Sequence, residues 1–145
     1  TILYGRVTYQ LMESAWPAIV KNPTGIQHVD EFAVLIDQIS KIVFSNTLKT
    51  VEWKNTRLAE EELKQLASKL KQQPGKDILA GGRSILIALM QENLIDEFQF
   101  FVHPIVLGSG LPLFPNTKER TALPLVKTNT LDSGVVILYA VPTAT

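Results

Sequence analysis

Asp77-Ile78-Leu79-Ala80-Gly81-Gly82-Arg83-Ser84-Ile85-Leu86-Ile87-Ala88-Leu89-Met90-Gln91-Glu92 reads as a strand, a glycine turn and a helix in immediate succession. Asp77 to Ala80 reads as a strand, and Gly81-Gly82 breaks it. Ser84 to Glu92 is apolar on most sides, as expected of a helix wedged against a sheet. Upstream, Leu63, Leu66, Ala67 and Leu70 recur at helical spacing between Glu60 and Gln73, with acids in the first turn and lysines toward the end. Pro74-Gly75 terminates that helix.

Further upstream, Lys41-Ile42-Val43-Phe44-Ser45 is a β-branched and aromatic run closed by Asn46-Thr47, the pattern of a fully buried strand. A weaker strand is expected within Trp53 to Ala59. Val29, Phe32, Ala33, Ile36 and Ile39 form one apolar stripe on a surface helix. Arg6 to Ser14 reads as a helix that ends before Pro17, because proline disfavours helical continuation. The opening Thr1-Ile2-Leu3-Tyr4-Gly5 reads as the end of a strand already inside a sheet, so a preceding segment is expected. Downstream, Glu97 to Leu107 is a β run interrupted by Pro104. Thr121 to Lys127 and Val135 to Val141 suggest an antiparallel pair about the turn Asp132-Ser133-Gly134. Strands alternating with helices, then an antiparallel tail, predict a single α/β domain over residues 1–145: a mixed, mostly parallel sheet with helices on both faces.

The 145 residues carry 14 Lys plus Arg against 14 Asp plus Glu, two His and no Cys. A balanced charge without a basic cluster argues against nucleic acid and anionic membrane surfaces as partners. The absence of cysteine excludes thiol catalysis, Cys-based zinc sites and disulfides, and suits a reducing compartment, so a cytoplasmic location is expected. No apolar run approaches the length of a membrane span.

In sheets of this kind ligands bind at the carboxyl ends of strands, beside helix N-termini. Three turns there carry suitable residues: Gly5-Arg6-Val7-Thr8, Ser45-Asn46-Thr47 and Gly81-Gly82-Arg83-Ser84. Glycine lets a phosphate approach the partly positive helix end; Arg6 and Arg83 add forked donors, and Thr8, Ser45, Thr47 and Ser84 add hydroxyls. Together the turns suit a dinucleotide. Arg6, Lys49 and the Ser45 to Thr47 hydroxyls would favour NADPH over NADH by meeting its 2′-phosphate.

The segments Gly5-Arg6-x-Thr8-Tyr9, Lys41-Ile42-Val43-Phe44-Ser45-x-Thr47-Leu48, Trp53-x-Asn55-Thr56, Pro74-Gly75-Lys76-Asp77-Ile78 and Gly81-Gly82 follow one another in order. Leu94-Ile95-Asp96-Glu97, Pro104-Ile105-Val106-Leu107-Gly108 and Gly110-x-Pro112-Leu113-Phe114 continue it. The set resembles the bacterial dihydrofolate reductase-like proteins grouped with the C-terminal reductase domain of the bifunctional riboflavin-biosynthesis enzyme. That resemblance implies a dihydrofolate reductase-like three-layer fold with a central sheet of about eight strands, here without its N-terminal strand. It implies an NADPH-dependent oxidoreductase similar to the phosphoribosylaminouracil reductase of riboflavin biosynthesis, acting on a small heterocyclic substrate. Gly5, Arg6 and Thr8 would hold the pyrophosphate, Ser45, Asn46 and Thr47 the adenosine side, and Gly81, Gly82, Arg83 and Ser84 the nicotinamide half and pyrophosphate. It further implies a cis Gly81–Gly82 peptide bond and a homodimer. Where the riboflavin reductases carry an Asp-Asp-Pro element after the first turn, this chain has Leu11-Met12-Glu13-Ser14. The sequence nominates no catalytic acid. A non-catalytic nucleotide-binding or structural dimer, and a dihydrofolate reductase, are the alternatives.

Other signals point to structure. Gly108-Ser109-Gly110-Leu111-Pro112-Leu113 lacks the third glycine of a dinucleotide fingerprint, and its prolines forbid the following helix, so it reads as a loop. His28 and His103 lie far apart and no ligand spacing surrounds them, so no metal is expected. Asp96-Glu97 would point to opposite faces of a strand, and Trp16 and Trp53 suit packing.

Overall fold

The computed structural model describes residues 1–115 and 120–143, and the chain divides into two compact units, Thr1–Leu94 and Ile95–Thr145. In the first unit, β1 (Ile2–Gly5) leads into α1 (Arg6–Lys21) and α2 (Gln27–Gln38), then β2 (Lys41–Phe44), β3 (Thr56–Leu58), α3 (Leu63–Gln72), β4 (Leu79–Gly81) and α4 (Arg83–Gln91). The second unit holds β5 (Phe98–Val102), β6 (Leu125–Thr130) and β7 (Val136–Ala140).

β1 is central in a parallel ladder of order β3-β2-β1-β4, with Leu3 opposite both Ile42 and Ala80. All four of its residues are buried, which a strand covered on both faces requires. Side chains alternate across the ladder. Ile2, Tyr4 and Val43 join Tyr9 of α1, Ile36 of α2 and Trp53 in one core cluster. Leu3 and Ile42 point to the other face. Right-handed crossovers put α3 opposite α1 and α2; α3 packs on α4, which itself packs on β1 and β4.

The chain between β2 and β3 is sewn to the end of α2. Trp53 Nε1 donates to Asp37 Oδ1 at 2.9 Å, and Asn55 Nδ2 donates to the carbonyls of Asp37 and Gln38. Lys41, wholly buried, gives its ammonium to the carbonyls of Asp37, Ile39 and Lys54 at 2.8–3.1 Å and lies 4.4 Å from the Trp53 ring centre. Carbonyls at a helix C-terminus suit a cation. Burial nevertheless pulls the Lys41 ammonium below its usual range.

The sheet is α/β in class, as expected, but its seven strands among the described residues form two ladders rather than one. β4 ends the parallel ladder and β5 ends the antiparallel one, of order β5-β7-β6. β6 starts at Leu125, later than the sequence suggests, because Pro124 has no N–H for the ladder; its carbonyl accepts from Val141 N instead. β5 stops at Val102, two residues before Pro104.

α1 does not stop before Pro17 but carries that proline inside a helix of 16 residues. An interior proline costs about 3 kcal/mol, and packing of the turn before it offsets the loss. Trp16 meets Phe32 of α2 edge-on at 4.6 Å, and its indole N–H reaches Met12 Sδ at 3.3 Å. α3 starts at Leu63 rather than Glu60, so Glu60 to Glu62 occupy the turn before it and not its first turn.

Tyr4 and Tyr9 in the first core both have phenols pushed up to about 12 by burial. Tyr9 also donates to Glu13 Oε1 at 2.5 Å and accepts from Trp53 N at 3.3 Å. Between pH 10 and about 12 the unfolded chain loses these protons while the folded chain keeps them. The stability they contribute is therefore intact below pH 10 and lost as pH rises toward 12. Urea unfolding across that window should show the midpoint falling, and Tyr9→Phe should flatten the fall.

Candidate active site

A parallel ladder puts the carboxyl ends of all its strands at one edge, and the three sequence-nominated turns leave from there. Gly5 closes β1 and is the N-cap of α1; Gly82 follows β4 and is the N-cap of α4. Neither helix end has a side-chain cap, so their first N–H groups keep their donor capacity toward a ligand. At the end of β2, Ser45 Oγ accepts from the Thr47 and Leu48 N–H groups at 3.1 and 3.0 Å, which folds Ser45 to Leu48 into a tight turn.

The two helix starts touch. A Cβ on Gly5 would stand 2.6 Å from Ser84 Oγ, and one on Gly82 would collide with the Thr8 hydroxyl. A Cβ on Gly81 would enter the Tyr4 ring. Gly82 also has φ +103, a conformation that a residue with a side chain adopts only under strain. The Gly81–Gly82 bond is trans, against the cis arrangement that the resemblance implies. The positive φ at Gly82 supplies the bend between β4 and α4.

A cleft of about 910 Å³ opens over this edge, and Gly5, Arg6, Ser45, Asn46, Thr47 and Ser84 all line it. The other nominated residues, Thr8, Gly81, Gly82 and Arg83, lie outside its lining, as does Lys49, and Thr8 meets Gly82. Phe44, Ile85, Ala88 and Leu89 give it apolar surface. The sequence pattern did not single out one wall, formed by Glu60, Glu61 and Glu62 from the β3–α3 turn, Lys64 from the first turn of α3, and Gln91 and Glu92 from the end of α4. The same strand-end rule that picked the other turns points to it, since Glu60 lies two residues past β3. Four carboxylates thus face two cations, Arg6 and Lys64, among the described lining residues.

Among the described residues no group of three or more His, Asp or Glu stands ready for a metal. Trp53 is buried in the core. Gly108 to Leu113 is irregular, as Pro112 within it and Pro115 after it require. No helix among the described residues is long and apolar enough to cross a membrane.

The α/β fold, with its parallel and antiparallel ladders and its helices, is the dihydrofolate reductase-like fold that solved neighbours share. The RibD C-terminal domain family matches residues 1–137, and the chain belongs to it. "Uncharacterized protein YyaP" of Bacillus subtilis is 38% identical over 141 residues, covering 96% of this chain and 72% of its own. "Uncharacterized protein YwjB" of the same organism is 34% identical over 98 residues, 67% of this chain and 56% of that one. A "Putative riboflavin biosynthesis protein" from Shewanella sp. PV-4 shares the fold at TM-score 0.73 and 20% identity, over 99% of this chain and 73% of that one. A "pyrimidine reductase-like protein" from Corynebacterium diphtheriae aligns at TM-score 0.52 and 17% identity, over 72% and 50%.

Because Gly82 is constrained by both its φ and Thr8, Gly82→Ala should destabilise the fold by about 1–3 kcal/mol. Thermal unfolding checks it, and adding Thr8→Ala should recover only the steric part.

Proposed function

We propose that this chain is an NADPH-dependent reductase that passes a hydride to a C=N or C=O bond of a small heterocyclic substrate. The observation that carries the reading is the meeting of the Gly5 and Gly82 helix starts beside the Ser45 turn, around one cleft. The residues fit the coenzyme. Ser84 and Thr8 fill the space that a Cβ on Gly5 or Gly82 would need, so these glycines let the two helix starts pack together, and the two uncapped helix N-termini offer donors to anionic oxygen.

In this reading Gly5, Arg6 and Thr8 hold the pyrophosphate, Gly81, Gly82, Arg83 and Ser84 the nicotinamide half and pyrophosphate, and Ser45 to Thr47 take the adenosine side. Phe44, Ile85, Ala88 and Leu89 exclude water from the cleft. Bound NADPH supplies the hydride; the protein binds, orients and keeps the site dry. The acidic wall turns the pyrophosphate toward the Gly5 and Ser84 side.

The test is fluorescence titration with NADPH, followed by loss of reduced-nicotinamide absorbance against pterins, pyrimidines and carbonyl compounds. Saturable binding with oxidation by a heterocycle supports the reading. Binding without turnover favours a nucleotide-binding protein, turnover of dihydrofolate alone favours a dihydrofolate reductase, and no saturable binding overturns the cofactor.

A cytoplasmic homodimer belongs to the same proposal. In β5, Phe98 is buried, while Phe101 and Val102 are exposed beside exposed Ile105, Val106 and Leu107, an apolar surface suited to a second copy. Sedimentation velocity should give a dimer that Phe101→Glu dissociates; a monomeric wild type removes this part.

A further inference from the structure

NADPH and NADH share the pyrophosphate, so the helix N-termini and Arg6 cannot tell them apart. The difference is one phosphate on the adenosine ribose. It would enter beside a wall in which Glu60, Glu61, Glu62 and Glu92 all line the cleft, and like charge would repel it. Glu61 is already neutralised by Lys69, at 2.6 Å. Arg6 is turned along its own helix, with Nη1 donating to Gln10 Oε1 at 3.1 Å.

Lys64 is placed differently. It stands in the first turn of α3, whose N-terminus has no side-chain cap, and it reaches Glu92 at the end of α4, with Nζ 2.5 Å from Oε2. Both residues line the cleft, so this ion pair joins two of its walls. The lysine side chain is 64% exposed and the glutamate 40%. An ion pair so open to water is weak and screened, and a phosphate bearing nearly two charges competes with a single carboxylate for the ammonium.

Resting on the NADPH reading above, we propose that Lys64 is the residue that selects NADPH over NADH, its ammonium exchanging Glu92 for the 2′-phosphate. Glu92 holds the cation in place when no such phosphate is present, and it competes with the coenzyme when one is. Lys49, which the sequence suggested for this part, lies outside the cleft lining.

Calorimetric titration of the wild type, Lys64→Gln and Glu92→Gln with NADPH, NADH, 2′,5′-ADP and 5′-AMP tests the proposal. Lys64→Gln should weaken NADPH and 2′,5′-ADP about tenfold while leaving NADH and 5′-AMP within about twofold. Glu92→Gln should tighten the two 2′-phosphorylated ligands and leave the others unchanged. A Lys64→Gln protein that keeps the wild-type NADPH:NADH ratio, or a Glu92→Gln protein that loses affinity for NADPH, overturns the role of Lys64 and leaves the cofactor reading standing. A wild type that binds neither coenzyme overturns both, and unchanged NADH binding by the variants shows that they are folded.

Discussion

β1 is the constraint on which the first unit depends. It is hydrogen-bonded on both edges and covered on both faces, so its four residues must satisfy two ladders and two cores at once. Leu3 is entirely enclosed, and Tyr4 reaches from the strand into the cluster that holds α1 and α2. Every crossover in the unit leaves from or returns to this neighbourhood. The carboxyl end of β1 therefore sits where two helices can begin side by side.

That position explains the glycines. At Gly5 the backbone passes so near Ser84 that a methyl group would have to displace it, and at Gly82 the backbone passes Thr8 in the same way. Close packing of Gly5 on Ser84 and of Gly82 on Thr8 is also what sets the two helix starts side by side at the sheet edge. The structural and functional accounts of these turns do not compete, because the approach that stabilises the edge also exposes helix-end donors at the cleft.

The cleft is not uniformly suited to anions. Hydroxyls, helix ends and Arg6 occupy one part, and carboxylates from the β3–α3 turn and α4 occupy another. Such polarity orients a ligand with a charged end and an uncharged end more firmly than a uniformly basic site would.

The sequence alone determined the element types of the first unit, because apolar periodicity and glycine–proline punctuation are local: the stripe from Val29 to Ile39 and the buried run at Lys41 appear as read, while β4 starts at Leu79 and takes in Gly81, so that the break falls at Gly82. It also nominated three turns, since residue types at strand ends are visible without coordinates. Tertiary structure decided what locality cannot encode. Packing of Trp16 on Phe32 carried α1 through Pro17, hydrogen bonding divided the strands into two ladders, and the β3–α3 turn brought an acidic wall to a cleft that linear spacing had described as basic and hydroxylic. Each outcome rests on contacts between residues far apart in the chain, whose energies exceed the local preferences that sequence patterns report.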